Sequence, residues 1–309
     1  MSSFLQSSDW QEFQQKFGRK TFTDSGKDWS YLAIEESGTL NKRIYTPYGP
    51  DCADIDSFDE ALASLKKTAK KQKASFIRVE PTSGISANQL QVRGFRPVTY
   101  QQLQPAHSQI IDLAPDSDQI LAQMSQNSRN ITRNFHKKGL TIRTSRQVED
   151  ISILTSLLSG VAARNQITTH SESYFKTQAE ALFPLKAATL YIAEFEDQPI
   201  AAALVFDSQD TRIYAHAAAN NEFRKLNAGT AIVGQLILDA KAAGLSQVDL
   251  YGITESDDPH HPWAGFTKFK KSFGGKSVTY PGAWDLPVQP LRYNLYRAYQ
   301  VVRHYLRSK

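Results

Sequence analysis

The chain has 309 residues, of which 40% are hydrophobic and 11% aromatic, and its net charge is +5. This length and composition predict two domains with buried cores, and the mild positive charge is compatible with a polyanionic partner. A single cysteine, Cys52, excludes an internal disulfide framework or a thiolate metal cluster. The first ten residues lack a signal-peptide pattern and no apolar run is long enough to span a bilayer, so we expect a cytoplasmic protein.

Short helices and strands alternate in the first third of the chain. Apolar residues at helical spacing predict helices at Trp10–Phe17 and Phe58–Lys71. Runs rich in β-branched and aromatic residues predict strands at Trp29–Glu35, Lys42–Thr46 and Ser75–Val79. This alternation indicates an α/β (α+β) protein.

Two parts of the sequence resemble each other. A helix followed by a strand and then by a segment ending in Val-Thr-Tyr occurs twice, at Phe58–Lys71, Phe76–Val79 and Gly94–Tyr100, and at Thr230–Ala243, Val248–Tyr251 and Gly274–Tyr280. Two copies of one unit predict a duplicated domain with a cleft between the halves.

The longest predicted helix, Asp116–Lys138, begins a strongly basic region. Between Gln119 and Val148 there is no acidic residue, and the cations are Arg129, Arg133, Lys137, Lys138, Arg143 and Arg146. Neutralising the phosphates of a nucleic acid is the natural use of such a segment. A merely basic surface is the alternative.

The second half of the chain is again mixed. The predicted elements are a helix at Val148–Arg164, strands at Thr189–Phe195, Ile200–Phe206 and Thr211–Ala217, and a last helix at Leu291–Arg307. The residues of the last helix that we expect to face inward are Leu295, Ala298, Val302 and Leu306. Its arginines, Arg292, Arg297, Arg303 and Arg307, then face either solvent or a membrane surface.

The stretch from His260 to Gly275 combines two histidines and a tryptophan with a basic, aromatic run. It follows a predicted buried strand and a polar loop, where functional residues often gather. An ordinary loop with a solvated lysine run is the alternative. Because adjacent side chains in an extended segment point in opposite directions, His260 and His261 are poorly placed to share one metal ion, and we expect no metal site.

No Walker loop, HExxH or GxSxG motif is present. The segment Arg224–Ala231 resembles the acyl-CoA loop of GNAT acetyltransferases, but Asn227 replaces the first glycine of that loop. This glycine lets backbone N–H groups approach a pyrophosphate. The replacement implies a GNAT frame whose CoA site has decayed, and we expect no cofactor.

Several segments together resemble the FemABX family of peptidoglycan aminoacyltransferases, in family order over nearly the whole chain. They are Phe4–Trp10, Tyr48–Pro50, Phe76–Pro81, Lys137–Gly139, Arg164–Phe175, Tyr214–Gly229 and Phe269–Gly274. The resemblance implies two tandem GNAT-like domains, residues 1–110 with 288–309 and residues 111–287. The long helical hairpin of some members is absent. The implied reaction moves an amino acid from aminoacyl-tRNA to the amino group of a peptidoglycan precursor stem peptide, lipid-linked or nucleotide-linked.

The resemblance also implies roles for individual residues. Lys270 matches a family lysine that stabilises negative charge on the ester carbonyl during attack. Glu80 matches an acidic residue proposed as general base for the incoming ammonium. The alternative for Lys270 is that it is an ordinary solvated lysine. The alternative for Glu80 is a salt bridge in the surroundings of Arg78.

Tyr174 matches a tyrosine that contacts the muropeptide phosphates, and His170 replaces a phosphate-clamping arginine of a relative. Because histidine lacks the guanidinium fork, the acceptor need not be the soluble nucleotide form. Further substrate-binding residues implied by the resemblance are Arg164, Tyr214, His216 and Phe269. Packing in the core explains Tyr214 equally well.

Arg129, Arg133, Lys137 and Lys138 are the expected tRNA-binding residues. Two other functions stay open on the sequence alone. One is an N-acyltransferase that uses acyl-CoA, which the asparagine at position 227 disfavours. The other is an RNA-binding module without catalysis.

Overall fold

The computed structural model describes residues 3–38, 41–82, 84–100, 103–165 and 169–307, without the side chains of residues 165 and 303–307. The strands are β1 (Thr21–Ser25), β2 (Trp29–Gly38), β3 (Asn41–Thr46), β4 (Asp51–Cys52), β5 (Phe76–Val79), β6 (Arg96–Pro97), β7 (His107–Asp112), β8 (Leu140–Ser145), β9 (Ala188–Phe195), β10 (Gln198–Asp207), β11 (Thr211–Ala219), β12 (Gln247–Gly252), β13 (Lys276–Thr279) and β14 (Trp284–Pro287). The α-helices are α1 (Ser8–Lys16), α2 (Ile55–Lys71), α3 (Ala87–Val92), α4 (Ser117–Gln123), α5 (Gln126–Asn134), α6 (Ile151–Asn165), α7 (Glu172–Leu182), α8 (Ala228–Ala242), α9 (Ala264–Lys271) and α10 (Pro290–Arg307). Over the described ranges, none of these helices combines the length and the apolar content needed to cross a bilayer.

The chain divides into two compact units, Met1–Ala106 with Thr279–Lys309, and His107–Val278. The boundaries differ from the predicted ones, which placed residues 107–110 in the first domain and residues 279–287 in the second. Strand pairing explains both differences. β7 is antiparallel to β12 in the second unit, and β14 is antiparallel to β5 in the first.

The sheet of the first unit has the strand order β1-β2-β3-β5-β14-β6, and β4 pairs with β2. Helix α2 connects the parallel strands β3 and β5. A capping box of Asp54 and Ser57 starts this helix, and its buried face contains Phe58, Leu62 and Leu65. The burial of this apolar face against the sheet forms the core of the unit.

The sheet of the second unit has the order β13-β7-β12-β11-β10-β9-β8. Helix α8 connects the parallel strands β11 and β12, as α2 connects β3 and β5. The run β3-β5-β14-β6 thus corresponds in position to β11-β12-β7-β13. Each unit is a mixed α/β domain. The two copies of the helix–strand repeat in the sequence correspond to α2 with β5 in the first unit and to α8 with β12 in the second. Between β11 and α8 the chain forms one short 3₁₀ segment, Asn221–Leu226.

The predicted long helix at Asp116–Lys138 is wrong as a single element. It consists of α4, α5 and a 3₁₀ turn, Phe135–Lys138. The break lies at Ser125, whose extended backbone donates a hydrogen bond to the carbonyl of Ser272 at 2.8 Å. The Ser125 hydroxyl then caps α5 by accepting from the N–H of Ser128. A tertiary contact with the end of α9 therefore replaces the helical hydrogen bonds at this point.

The predicted orientation of the last helix is also wrong. Leu295, Ala298 and Val302 of α10 are exposed, whereas Tyr293 and Tyr296 are buried. The two tyrosines pack against Phe76 of β5 and against Tyr100. The side chains of Leu306, Arg303 and Arg307 lie outside the described residues.

Candidate active site

Lys270 lies in the last turn of α9 in the second unit. Its ammonium donates a hydrogen bond to the carbonyl oxygen of Gly252 at 2.8 Å. Burial lowers the pKa of Lys270 to about 8, and the negative charge of Asp249 partly opposes this effect. The neighbouring Lys268 and Lys271 are exposed. Lys270 therefore differs from a solvated surface lysine.

Asp249 is a buried carboxylate in β12 that sequence reasoning missed. It accepts hydrogen bonds from the Ser108 hydroxyl and, at 2.6 Å, from the backbone N–H of Tyr251. Tyr251 has φ 63°, a left-handed conformation that is rare for an aromatic residue. This kink immediately precedes Gly252, the hydrogen-bond acceptor of Lys270. An acidic residue within an apolar strand was the sequence signal, because a buried carboxylate requires partners.

A pocket of about 610 Å³ lies next to Lys270. Three further predicted site residues line it, Arg164, Tyr214 and Phe269. Much of its wall consists of alanines from β10 and β11, namely Ala201, Ala202, Ala203, Ala215, Ala217, Ala218 and Ala219. Their methyl groups leave space between the two strands and α9. A mainly apolar pocket with a few polar groups is typical of a small-ligand site.

A β-bulge at Ala215 separates Tyr214 from His216 along β11. Leu204 of β10 pairs with His216 and Val205 pairs with Tyr214, so Ala215 has no partner in this register. Bulges redirect side chains. Tyr214 lines the large pocket, whereas His216 lies in a separate aromatic cluster.

This cluster contains His170, Tyr174, Phe175 and His216. The rings of His170 and Tyr174 are stacked with centroids 4.0 Å apart. The ring of His216 forms T-shaped contacts with Phe175 and His170, at centroid distances of 5.0 and 6.0 Å. Burial, with a smaller contribution from His170, lowers the pKa of His216 to about 3. His216 is therefore neutral at physiological pH.

A second pocket, of about 270 Å³, adjoins His170 and Phe175. Residues of α6 line its other side, namely Ser152, Thr155, Ser156 and Ser159. Positions 166–168 of the matching segment Arg164–Phe175 lie outside the described residues. The structure thus brings the predicted substrate-binding residues His170, Tyr174 and His216 together.

Glu80 lies in the first unit, directly after β5, and is buried. The Tyr45 hydroxyl donates a hydrogen bond to one carboxylate oxygen, and the backbone N–H of Gln104 donates to the other at 3.4 Å. Burial raises the pKa of Glu80 to about 7, against the opposing effects of Tyr45 and Arg78. Such a pKa suits a group that accepts and releases a proton near neutral pH.

The carboxylate that pairs directly with Arg78 is Asp285. The guanidinium of Arg78 donates to both oxygens of Asp285, at 2.7 and 2.9 Å, and both side chains are fully buried. Tyr100 accepts a further hydrogen bond from Arg78 at 3.1 Å. Arg78 and Asp285 therefore form a structural pair within the first unit.

Two arginines of the basic region, Arg133 and Arg143, form ion pairs with acidic residues from outside the region. Arg133 forms a salt bridge with Asp118 at 3.0 Å, and Arg143 pairs with both Asp150 and Glu194, at 2.8 and 2.9 Å. These acids lie just outside the acid-free segment or far from it in sequence. Because all three acids lie outside the segment, the run of cations alone overestimated the local charge.

Three other cations of the region lie in α5 and in the 3₁₀ turn that follows it. Arg129 donates to the carbonyl of Ala122 at 3.2 Å, and Lys137 and Lys138 are exposed. Gly139 ends this segment with φ 77°, as a glycine at a helix C-terminus commonly does. Three of the four predicted tRNA-binding residues thus have no acidic partner within 4 Å among the described residues.

The loop before α8 keeps the turn that a glycine would make there. Asn227 has φ 57° and ψ 37°, a left-handed conformation that asparagine adopts more readily than other non-glycine residues. A pocket of about 210 Å³ at this helix start is lined by Arg224, Gly229 and Thr230 and shares Phe269 with the large pocket. Asn227 therefore forms a left-handed turn at the start of α8.

The histidine-rich loop forms local turns. Asp258 accepts a hydrogen bond from the backbone N–H of His260 at 2.9 Å, and the Nδ1 atom of His261 accepts one from the N–H of Trp263 at 3.0 Å. In the ranges that the structure covers, no group of three or more His, Cys, Asp or Glu residues is arranged to hold a metal ion.

Two mixed α/β units with a helix between the parallel strands of each sheet are the fold of tandem GNAT-like proteins. A tandem GNAT protein from the clavulanic acid biosynthesis pathway is similar, with a TM-score of 0.51, 11% identity and coverage of 86% of this chain and 81% of that one. The crystal structure of FemX is more similar, with a TM-score of 0.83, 17% identity and coverage of 95% and 94%. L-PGS from Bacillus licheniformis has a TM-score of 0.59, 12% identity and coverage of 89% and 86%. At these identities the similarities establish the fold alone.

The model of the FemAB family matches residues 90–196 and 184–300, which together span more than half of the sequence, and the chain belongs to this family. Among characterised relatives, it is 23% identical to the lipid II:glycine glycyltransferase of Staphylococcus haemolyticus (strain JCSC1435). That alignment extends over 282 residues and covers 77% of this chain and 67% of the relative. The resemblance to FemABX proteins that the sequence motifs suggested is thereby confirmed.

Proposed function

We propose that this protein is an aminoacyltransferase that moves an amino acid from aminoacyl-tRNA to an amino group on the stem peptide of a peptidoglycan precursor. The observation that carries the proposal is the partly buried Lys270 beside the 610 Å³ pocket. Membership of the FemAB family supports this reaction class, as does similarity to a protein named for glycine transfer to lipid II.

In the proposed reaction the acceptor amine attacks the carbonyl carbon of the aminoacyl ester. A C–N bond forms, the C–O bond to the terminal ribose breaks, and the proton lost by the amine is balanced by protonation of the leaving ribose oxygen. Lys270 stabilises the oxyanion that develops on the carbonyl, an interaction that contributes several kcal/mol when the cation is fixed in place. The hydrogen bond to Gly252 holds this cation at the edge of the pocket.

Glu80 is the proposed base that takes the proton from the incoming ammonium. An ordinary carboxylate is a weak base at neutral pH, and burial makes Glu80 a stronger one by raising its pKa to about 7. The Tyr45 hydroxyl orients the carboxylate. The base therefore becomes available as the pH rises through about 7.

The two substrates are proposed to use different surfaces. Arg129, Lys137 and Lys138 contact phosphates of the tRNA, since each such contact releases counterions and favours binding. On the acceptor side, Tyr174 and His170 form a stacked aromatic platform. The similarity to a protein named for glycine transfer to lipid II supports a lipid-linked precursor as the proposed acceptor, encountered at the inner face of the plasma membrane.

A transfer assay tests the proposal. Purified protein is mixed with labelled aminoacyl-tRNAs and with either lipid-linked or nucleotide-linked muropeptide. Label should move to muropeptide, the Lys270→Ala variant should lose transfer by about a hundredfold or more, and the Lys271→Ala variant should retain it. Lys271 is the matched control because it is the exposed neighbour of Lys270 on the same helix.

Other outcomes identify the alternatives. Transfer from acetyl-CoA to an amine, with none from tRNA, would make the protein an N-acyltransferase that uses the pocket at the start of α8. Binding of tRNA that survives Lys270→Ala, without product from any acceptor, would make it a binding module. Either outcome would refute the proposed reaction.

A further inference from the structure

Helix α10 presents a continuous apolar stripe to solvent. Leu291, Leu295, Tyr299 and Val302 are 83%, 72%, 48% and 57% exposed. Their spacing of four, four and three residues places them on one side of the helix. Isolated exposed apolar residues are ordinary, but a contiguous stripe along three turns usually marks an interaction surface.

The opposite side of α10 attaches the helix to the first unit. Tyr293 and Tyr296 are buried, and their rings contact Phe76 with centroids 5.2 and 5.1 Å away. Tyr293 also lies within hydrogen-bonding reach of the buried Asp285, at 3.4 Å. Because the tyrosines occupy the core-facing side, the stripe of leucines and valine cannot turn inward without dismantling this packing.

The charges on and beside the helix indicate which kind of surface the stripe can bind. The eighteen residues of α10 contain no aspartate or glutamate. Arg292 is exposed beside Leu291. Arg96 adds a second cation at the first turns of the helix, where it donates to the Oδ1 atom of Asn294 at 3.0 Å and lies over the ring of Tyr293. An apolar stripe flanked by cations and free of acids complements an anionic surface with an apolar interior.

We propose that the exposed face of α10 docks on the surface of a bilayer that contains anionic phospholipids. In this arrangement the helix lies in the plane of the membrane. Leu291, Leu295 and Val302 enter the boundary between headgroups and acyl chains, while Arg292 and Arg96 face lipid phosphates. The tyrosines on the other side remain packed on the domain, so docking needs no unfolding of the helix.

The whole chain is tested by co-sedimentation with vesicles of phosphatidylglycerol mixed with phosphatidylcholine, and with vesicles of phosphatidylcholine alone. The protein should bind the anionic vesicles, and binding should weaken with added salt. The double variant Leu295→Glu, Val302→Glu should lose affinity for these vesicles by about tenfold or more. Leu185→Glu is the matched control, because Leu185 is an exposed leucine of the other unit, and it should bind like the unchanged protein.

Circular dichroism checks that each variant is folded. The single variant Leu291→Glu, at the most exposed position of the stripe, replaces the double variant if that protein does not fold. Equal vesicle binding by the stripe variants and the control would overturn the proposal, as would no binding to anionic vesicles. A dimer in light scattering that the stripe variants convert to monomer, without vesicle binding, would assign the stripe to a second copy instead. No tRNA or muropeptide is present, so the result is independent of the transfer reaction.

Discussion

Replacing Lys270 with methionine should stabilise the protein at neutral pH while abolishing its activity. Burial keeps the pKa of Lys270 near 8, below the ordinary value of 10.5. At pH 7 the amine is protonated in both the folded and the unfolded chain, so the folded state carries the cost of a desolvated charge. Methionine has a similar length and no charge.

The size of the effect follows from the pKa difference. Lowering the pKa from 10.5 to about 8 corresponds to roughly 3 kcal/mol of destabilisation by the protonated form. The variant also loses the hydrogen bond to the carbonyl of Gly252, which offsets about 1–2 kcal/mol of the gain. We therefore expect a net stabilisation of about 1–2 kcal/mol at pH 7.

The pH dependence has a definite sign. Between pH 8 and 10.5 the unfolded chain binds more protons at this residue than the folded chain, so this group makes the unchanged protein more stable as the pH rises. The advantage of Lys270→Met should therefore shrink over this window. Taking the difference between the variant and the unchanged protein removes the contribution of all other titrating groups.

Urea unfolding at pH 7, 8.5 and 10 measures this difference, with Lys271→Met as the control. Lys271 is exposed, so its replacement should change the free energy of unfolding by less than about 0.5 kcal/mol at each pH. A Lys270→Met protein that is no more stable than the control at pH 7, and whose difference does not change with pH, would refute the desolvation argument. It would also remove the main physical reason for singling out Lys270.

Three further predictions follow from the same geometry. The rate of transfer should rise with pH through about 7 as Glu80 deprotonates, and Glu80→Gln should remove that limb of the pH–rate profile; an unchanged profile would exclude Glu80 as the base. Replacing Arg129, Lys137 and Lys138 together with glutamine should reduce the slope of log K against log salt for tRNA binding by about 2, and an unaltered slope would place the tRNA elsewhere. Asp285→Ala should destabilise the first unit by about 3–5 kcal/mol in urea unfolding because it leaves a buried arginine without its carboxylate; a loss below about 1 kcal/mol would show that the pair is not desolvated.

The local elements were largely predictable. Helix α2 has both its capping residues and its apolar spacing in one contiguous segment, and the strands β9, β10 and β11 are rich in apolar residues. The break at Ser125 was not predictable, because its cause is a hydrogen bond to Ser272, almost half the chain away. The domain boundaries were missed for a similar reason, since β14 belongs with β5 across about two hundred residues.

The last helix shows the limit of periodicity. Leu295 and Val302 form an apolar stripe, and burial of that stripe is the usual outcome for a surface helix. Tyr293 and Tyr296 form a competing face: both rings pack on Phe76, and the Tyr293 hydroxyl reaches the buried carboxylate of Asp285, a contact that leucine could not make. Which of two faces is buried depends on the surface underneath, which the helix's own sequence does not contain.

By itself, the sequence determined the fold class, the family and the residue types available for chemistry, because these depend on contiguous patterns and on the order of motifs along the chain. Only the tertiary structure decided the protonation behaviour and the ion pairing of those residues. Burial moves the pKa of Lys270 to about 8 and that of Glu80 to about 7, partners distant in sequence oppose both shifts, and Arg133 forms an ion pair with Asp118. Desolvation and electrostatic pairing depend on distances in space, and the chain acquires those distances only when it folds.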